Sequence, residues 1–271
     1  MKKVLAAALV LLALAAALAA SAVGASADPR VVLPPADGRF DYQIGGAYRP
    51  VSSVTIVDRD RSDPPVSGRY NICYVNGFQT QGEDHDFWFT QHPDLVLRVG
   101  GSPVRDPGWP DEYVLDLTTA VKRQAVADIV GGWIAGCATA GYQAVEPDNL
   151  DSWTRSKHAF GRTEALAYAT LLADAAHSHG LAIAQKNAAE LSAAGQQAGF
   201  DFAIAEECQL YKECGSYTHV YGDHVYEVEY TDNARSAYTR ACAAQGQHIS
   251  VILRDRDVTP RGDPAYVYKA C

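Results

Sequence analysis

The sequence lacks the short motifs that identify several large classes of enzyme. No GxSxG segment is present, which excludes the nucleophile elbow of a serine hydrolase. No GxGxxG follows a strand-like run, which leaves no support for a dinucleotide site. No CxxC pair or Cys/His cluster has the spacing of a zinc site, and the eight histidines form no ligand pattern. We therefore expect neither a cofactor nor a metal ion.

Positive charge is also scarce. The chain has 23 Lys and Arg residues against 32 Asp and Glu residues, a formal net charge of −9 at pH 7. Without Lys2 and Lys3, which precede the first apolar run, the charge is about −11. We expect no nucleic-acid partner, because phosphate binding requires a basic surface. A neutral or cationic ligand fits this charge better.

Long apolar runs are absent beyond the N-terminus. Residues 1–27 consist of two lysines, a long Ala/Leu/Val run and the small residues Ala25-Ser26-Ala27. This pattern predicts a secretory signal peptide that is cleaved after Ala27. The apolar run approaches membrane-spanning length, so an uncleaved anchor is the alternative. We expect residues 28–271 to be secreted, soluble and without contact to a membrane.

Six cysteines follow the predicted cleavage site. An even number in an exported chain indicates disulfide bonds, and six cysteines allow fifteen pairings. Zinc binding is the competing interpretation, but the spacing does not support it. We predict bonds between Cys208 and Cys214 across a short loop and between Cys242 and Cys271, which leaves Cys73 with Cys137.

The second half of the chain repeats one pattern four times. An Ala-rich helical stretch is followed by a glycine and then by an apolar strand that ends in polar residues. Gly141, Gly180, Gly199 and Gly246 occupy the glycine position, where a left-handed cap ends a helix. Strands that alternate with helices predict βαβ units around a parallel sheet. The segments FDYQIGG, SVTIVDRD, YNICYVNG, YVLDLTT and VYEVEYTD raise the number of strand candidates to nine.

This alternation predicts an α/β fold, a single (β/α)8 barrel that forms one domain over residues 28–271. An open doubly wound sheet is the alternative. Nine candidates exceed the barrel's eight strands by one, and we expect the first or the last to lie outside. The segment Phe78–Asp111, rich in Gly, Pro, His and Trp, predicts a long loop over one face of the barrel.

Polar side chains end nearly every apolar run. In a (β/α)8 barrel these positions meet at the carboxyl ends of the strands, where the active site lies. The residues concerned are Asp58, Asp60, Asn76, Asp116, Glu146, Asp148, Lys186, Asn187, Glu206, Glu207, Glu229, Tyr230, Arg254 and Asp255. Charge at such positions costs free energy unless it is paired or used. With serine and metal chemistry unsupported, the carboxylates predict glycoside hydrolysis. The 15 tyrosines and four tryptophans agree, because aromatic faces stack on sugar rings.

Particular strings of the sequence resemble a known family. FDYQIGGAY, VTIVDRD, YNICYVNGFQTQ, AVEPDNLDS, GLAIAQKNAAEL, FDFAIAEEC, EVEYTD and VILRDRD are similar to the secreted endo-α-1,4-polygalactosaminidase family of glycoside hydrolases. The resemblance runs from Phe40 to the C-terminus and implies a (β/α)8 barrel that cuts α-1,4-linked galactosamine polymers internally, without a cofactor. The family's catalytic Asp, in its D-N-x-D motif, corresponds to Asp148, and its catalytic Glu, ahead of a cysteine, to Glu206. Glu207 departs from the family pattern, which has Gln there.

We predict that Asp148 is the nucleophile and Glu206 the general acid/base of a retaining hydrolysis. Glu206 follows the apolar run FAIA, whose burial would keep a proton on it near neutrality. The reverse assignment and an inverting mechanism are alternatives. The predicted substrate-binding residues are Tyr42, Asp58, Glu146, Asn149, Asp151, Lys186, Glu207, Glu229 and Tyr230.

The predicted partner is a polysaccharide. A galactosamine polymer is cationic wherever its amines are free, which complements an acidic protein. Two other functions fit the same residues. One is a carbohydrate-binding barrel without turnover, and the other is a hydrolase of a different amino-sugar polysaccharide.

Overall fold

The computed structural model describes residues 30–271, so the predicted signal peptide lies outside the described residues. Eight strands form the centre of the fold. They are β1 Phe40–Tyr42, β2 Ile56–Asp60, β3 Tyr70–Asn76, β4 Ala144–Asp148, β5 Ala182–Lys186, β6 Phe202–Glu206, β7 Val225–Tyr230 and β8 Ser250–Arg254. Each pairs in parallel with the next along the chain, and β1 lies against β8. The sheet is therefore a nearly closed barrel, as the alternating pattern predicted.

A ninth strand, β9 (Tyr268–Ala270), pairs antiparallel with β8. The hydroxyl of Tyr268 donates a hydrogen bond of 2.8 Å to the carbonyl oxygen of Phe40 in β1. The C-terminal strand thus joins the two edges of the barrel where they come closest. Three residues are too few for a sequence pattern, and β9 was not predicted.

Helices surround most of the barrel. They are α1 Ala120–Ala140, α2 Arg162–Ser178, α3 Ser192–Ala198, α4 Cys208–Tyr211, α5 Cys214–Tyr221 and α6 Ser236–Gln245. The connections at 43–55 and 61–69, which join β1 to β2 and β2 to β3, contain no helix. Across residues 30–271, no helix has the length and apolar character needed to span a bilayer.

The helix, glycine and strand units are confirmed around four glycines. Gly141 and Gly199 adopt the left-handed conformation at the ends of α1 and α3, with φ of 98° and 112°. Gly246 does not, because its φ is −66° after α6. A side chain at Gly246 would come within 2.8 Å of the backbone oxygen of Cys242. Close approach, and not the predicted left-handed turn, therefore accounts for this glycine.

The segment YVLDLTT is not a barrel strand, so the expectation that the first or last candidate is the extra one was wrong. Val114 and Leu115 form only isolated bridges, to Gln79 and Val96. They are buried with Trp88 in the core outside the barrel, which the loop of residues 77–119 shares with the helices. An apolar run indicates that a segment is buried, but not which layer of the protein buries it.

Residues 77–119 form a long loop that contains the predicted segment Phe78–Asp111 and lines the cleft at the carboxyl ends of the strands. This loop carries a 3-10 turn at Gly82–Asp84, a π-helical turn at Phe87–Gln91 and a ribbon of Arg98–Val99 with Ser102–Pro103. Trp88 is fully buried beneath it. The loop is therefore a packed element that can hold side chains in fixed positions.

All three predicted disulfide bonds are confirmed. Cys73 in β3 is bonded to Cys137 in α1, and Cys208 is bonded to Cys214 across the junction of α4 and α5. The third bond joins Cys242 in α6 to the terminal Cys271. The first bond connects a barrel strand to an outer helix, the second joins two helices and the third connects the chain end to an outer helix.

Candidate active site

Alternation along the strands decides which polar residues face the barrel axis. The inner core contains Ile72, Ala184, Ile204 and Val228. Side chains two positions further along each strand point to the same side. Those positions hold Tyr74 in β3, Lys186 in β5, Glu206 in β6 and Tyr230 in β7, and the same rule applied to Ala144 places Glu146 and Asp148 inside. The carboxyl ends of the strands therefore collect both signs of charge over an apolar floor.

Lys186 is at the centre of this group and is 2% exposed. Its Nζ lies 3.1 Å from Glu146 Oε1, 3.2 Å from Asp148 Oδ1 and 3.5 Å from Glu206 Oε2. It also donates a hydrogen bond of 3.0 Å to the hydroxyl of Tyr42. Burial by itself lowers the pKa of Lys186, but Asp148, Glu146 and Glu206 raise it well above the usual value. Lys186 is therefore a fixed cation that brings three carboxyl groups together.

Asp148 is held in its ionised form. Burial opposes ionisation, but the charge of Lys186, the backbone N–H of Asn149 and the hydroxyl of Tyr74 together lower its pKa. The Asn149 N–H donates over 2.6 Å and the Tyr74 hydroxyl over 2.9 Å. Asn149 reaches Asp148 because it adopts the left-handed conformation, with φ of 70°, which Asn tolerates. The turn that follows β4 is therefore part of the site.

Glu206 has a similar set of donors on the other side of Lys186. Asn187 Nδ2 donates to Glu206 Oε2 over 2.9 Å, and the hydroxyl of Tyr230 donates to Oε1. The Oδ1 of Asn187 accepts the backbone N–H of Glu206 over 2.8 Å, which fixes the carboxyl group to its own strand. The side chain of Glu206 is 24% exposed and that of Asp148 is 18% exposed. Both carboxyl groups are anchored, and both can be reached from the cleft.

A second pair of carboxyl groups lies beneath Lys186. Glu146 accepts the hydroxyl of Tyr42 over 2.9 Å, while Glu146 Oε2 and both carboxyl oxygens of Asp58 have no hydrogen-bond donor. Burial, followed by the charge of Glu146, raises the pKa of Asp58 well above its usual range. The two neighbouring buried carboxyl groups oppose each other's ionisation, which favours a proton on Asp58 that Glu146 Oε2 can accept.

The cleft above these groups has a volume of about 390 Å³. Asp148, Lys186, Glu206 and Tyr230 form its inner end. Its walls come from the loop of residues 77–119 and from the segment after β8, which contributes Arg256 and Asp257. The exposed indole of Trp109 stands on the loop side and offers a flat surface.

A second hollow of about 280 Å³ shares Glu206 with this cleft. Asp151 and Glu207 line this second hollow and not the main cleft. Arg155 pairs with Asp151 over 2.8 Å, and Arg256 pairs with Glu207 over 2.5 Å. These two predicted residues therefore lie to one side of Asp148 and Glu206.

Glu229 does not reach either space. Tyr226, Val228 and Tyr230 face the barrel interior, so the intervening Glu229 faces the helices. It is fully buried, and its Oε1 accepts the backbone N–H groups of Gln209 and Leu210 over 3.1 and 3.2 Å. The sequence correctly predicted the strand, but the prediction did not distinguish the side chains that point into the barrel from those that point out of it. The structure corrects the assignment of Glu229 to substrate binding.

The structure adds residues that were not among the predicted catalytic and substrate-binding residues. Two of them could have been found from the sequence. Tyr74 lies two residues after the inward-facing Ile72 in β3, and Asn187 directly follows Lys186. Glu112, in the wall of the cleft, carried no signal, because it belongs to the loop of residues 77–119. The Asn76 amide donates to Glu112 over 2.9 Å.

Comparison with known proteins gives a family and a fold. The sequence profile of glycoside-hydrolase family GH114 matches residues 20–271. The crystal structure of Ega3 from Aspergillus fumigatus in complex with galactosamine aligns with a TM-score of 0.72 and 20% identity, over 89% of this chain and 98% of that chain. The glycoside hydrolase domain of PelA from Pseudomonas aeruginosa aligns with a TM-score of 0.54 and 15% identity, over 83% and 96%. At these identities the structural likeness concerns the fold. No curated protein sequence matches the chain.

Proposed function

The chain belongs to glycoside-hydrolase family GH114, and from this membership we propose that it is a secreted enzyme that cuts α-1,4-linked galactosamine polymers internally. The observation that carries the proposal is the position of Asp148 and Glu206 on the ammonium group of one buried lysine. Two carboxyl groups so placed at the inner end of an open cleft are the machinery of glycoside hydrolysis.

In the proposed mechanism, Asp148 is the nucleophile. Its depressed pKa keeps it ionised, as attack on the anomeric carbon requires. Glu206 first donates a proton to the leaving glycosidic oxygen. It then removes a proton from the water that hydrolyses the glycosyl ester on Asp148. Lys186 holds both groups in place throughout, because its contacts with them do not involve the substrate.

The distances to Lys186 favour retention over inversion. The two carboxylate oxygens lie 3.2 and 3.5 Å from one nitrogen atom. These two oxygens, which face Lys186, are therefore at most about 7 Å apart, a bound that includes the whole retaining range of roughly 5 to 5.5 Å. Proton NMR of the first product released should show the α-anomer if the enzyme retains configuration.

A galactosamine polymer fits the charge and the shape of the site. The Aspergillus fumigatus protein was crystallised in complex with galactosamine. The cleft and the neighbouring hollow meet at Glu206, so a polymer has room to extend past the catalytic pair, as internal cutting requires. We assign Asn149 and Tyr230 to the bound sugar, and Asp151 and Glu207 to the next unit. Tyr42, Glu146 and Asp58 support Lys186 from below.

Secretion and the single domain over residues 28–271 are part of the same proposal. The N-terminal segment has the composition of a signal peptide, and the three disulfide bonds suit an oxidising compartment. N-terminal sequencing of the protein exported by its host should begin at Asp28. An intact Met1 in the mature protein would contradict this assignment.

The test of function uses purified protein with deacetylated galactosamine polymer, acetylated galactosamine polymer and chitosan. We expect oligosaccharides from a galactosamine polymer. We also expect Asp148→Asn and Glu206→Gln to lower turnover by roughly a thousandfold each. Asp174→Asn, an exposed change on α2, is the control. Folded protein that releases nothing from any galactosamine polymer would defeat the substrate assignment, and release only from chitosan would replace it.

A further inference from the structure

The loop of residues 77–119 contributes three carboxylates to the cleft, Glu83, Asp111 and Glu112, and Glu112 is hydrogen-bonded to Asn149. Its Oε2 accepts the amide of Asn76 over 2.9 Å and that of Asn149 over 3.3 Å. Asn149 is the residue that donates its N–H to Asp148, so Glu112 stands beside the nucleophile. Two side-chain amides thus fix Oε2 of Glu112, and neither of them contacts Oε1.

The Oε1 of Glu112 is open to the cleft. None of residues 30–271 donates a hydrogen bond to Oε1, and the atom is accessible to solvent. No Lys or Arg side chain forms an ion pair with Glu112 in that part of the chain. The nearby Arg155 is already engaged by Asp106 over 2.7 Å and by Asp151 over 2.8 Å. The cleft therefore contains a carboxylate oxygen that faces solvent and lacks a cation.

The surroundings favour a cation at this oxygen. Burial raises the pKa of Glu112 to about 7, opposed by the hydrogen bond from Asn76 and reinforced by Asp148 and Asp106. Arg155 acts in the opposite direction, but weakly. A positive charge bound at Oε1 would relieve the penalty on the ionised form, because an opposite charge at hydrogen-bond distance stabilises a carboxylate.

We propose that Glu112 recognises the free ammonium group of a sugar bound over Asp148, and that it thereby selects de-N-acetylated over N-acetylated units. This inference rests on the proposed function. An acetamido group carries no positive charge, and its nitrogen keeps a single N–H in place of the ammonium group's three. Selection therefore comes from the charge-assisted attraction to the amine, which the acetylated form lacks.

Glu112→Gln is the decisive variant. The amide oxygen of Gln can still accept from Asn76 and Asn149, so the frame beside Asp148 is kept. Its NH2 group replaces the open oxygen with an uncharged donor. We expect kcat/KM on fully deacetylated galactosamine oligomers to fall roughly tenfold to a hundredfold, mainly through KM. We expect kcat/KM on N-acetylated oligomers of the same length to stay the same or rise.

Two further variants complete the design. Asp128→Asn is the charge-matched control, because it removes one negative charge from an exposed position on α1 outside the cleft. It should leave the ratio of the two kcat/KM values unchanged. Glu112→Asp keeps the charge but withdraws the carboxylate by one methylene, and it should keep only part of the preference.

The outcomes separate the two proposals. An equal loss on both substrates would mean that Glu112 only positions Asp148 through Asn149, and an unchanged ratio would remove it from substrate recognition. If Glu112→Gln does not fold, a wild-type ratio in Glu112→Asp overturns the inference. A wild-type enzyme inactive on every galactosamine oligomer defeats the proposed function itself. An active wild-type enzyme whose ratio of the two kcat/KM values is unaltered in the variants defeats only the recognition role of Glu112, and the proposed function stands.

Discussion

Two pairs of buried carboxyl groups lie on opposite faces of the same barrel. Asp58 and Glu146 face the interior, while Glu227 and Glu229 are neighbours on the outer face of β7, and all four are fully buried. In each pair at least two oxygens lack a donor. Burial and the neighbouring carboxyl group raise the pKa of Asp58 and of Glu227, which favours one bound proton in each pair.

The pairs differ in what compensates the remaining charge. Inside the barrel, Glu146 lies 3.1 Å from Nζ of Lys186. On the outer face the donors are backbone N–H groups. That of Gln209 contacts Glu227 Oε1 over 3.2 Å and Glu229 Oε1 over 3.1 Å. The inner pair thus fixes the cation that holds Asp148 and Glu206. The outer pair fixes the start of α4, just after Glu206, without any cation.

Lys186→Met should have the largest effect, because it removes the cation from one pair only. Glu146 and Asp148 would keep their hydrogen bonds but lose the cation that compensates their charge. We expect turnover to fall at least a hundredfold and the free energy of unfolding to fall by about 3–5 kcal/mol. Steady-state kinetics and urea unfolding measure the two effects.

Lys157→Met, an exposed change, is the control for Lys186→Met and should alter neither quantity. Near-normal turnover in Lys186→Met would show that Asp148 and Glu206, the proposed catalytic pair, keep their positions without the lysine. The distinction between the inner and the outer pair would then lose its functional meaning.

Glu227→Gln should change how stability depends on pH. Burial, the hydrogen bond with Glu229 and the charge of Glu229 raise the pKa of Glu227 from 4.5 to about 9. The folded protein therefore binds this proton more tightly than the unfolded chain does. The resulting stabilisation is complete below pH about 4.5 and is lost as the pH rises to about 9.

Urea unfolding at several pH values across this range measures the effect. The Gln variant, which cannot ionise, should lose much less stability with rising pH than the wild type. Glu164→Gln, in the first turn of α2 where the side chain is partly exposed, serves as the comparison and should follow the wild-type slope in the upper half of the range. Parallel slopes for wild type and Glu227→Gln would mean that the outer pair does not share a proton.

Asp58→Asn should have the smallest effect. If Asp58 is already protonated, Asn is a neutral replacement whose amide can donate to Glu146 as the acid did. We expect kcat/KM within about twofold of the wild type and an unchanged pH profile, because no charge is removed. Asp58→Ala, which leaves Glu146 Oε2 without a donor, should cost about 1–3 kcal/mol of stability. A shifted acid limb in Asp58→Asn would mean that Asp58 is ionised.

The strand-end pattern in the sequence located the inner pair correctly but misplaced Glu229 of the outer pair. Asp58 and Glu146 were found because they end apolar runs, a pattern that brings the carboxyl ends of parallel strands to one face. Glu229 satisfies the same pattern but lies on the other face of its strand. One residue of register separates the two cases, and register is set by pairing with neighbouring strands. The end of an apolar run indicates how far along the barrel axis a residue lies. Whether its side chain points inward or outward depends on which side chains of that strand pack inside the barrel.

The sequence by itself determined the repeated helix and strand units, the three disulfide pairs and the group of strand-end carboxylates that includes Asp148 and Glu206. These follow from local periodicity, from chain spacing and from residue types whose burial requires partners. Only the tertiary structure decided that Lys186 joins both carboxyl groups, that YVLDLTT belongs to the loop and that Glu112 reaches the cleft. Each of these depends on contacts between segments distant in the chain, which no local pattern encodes.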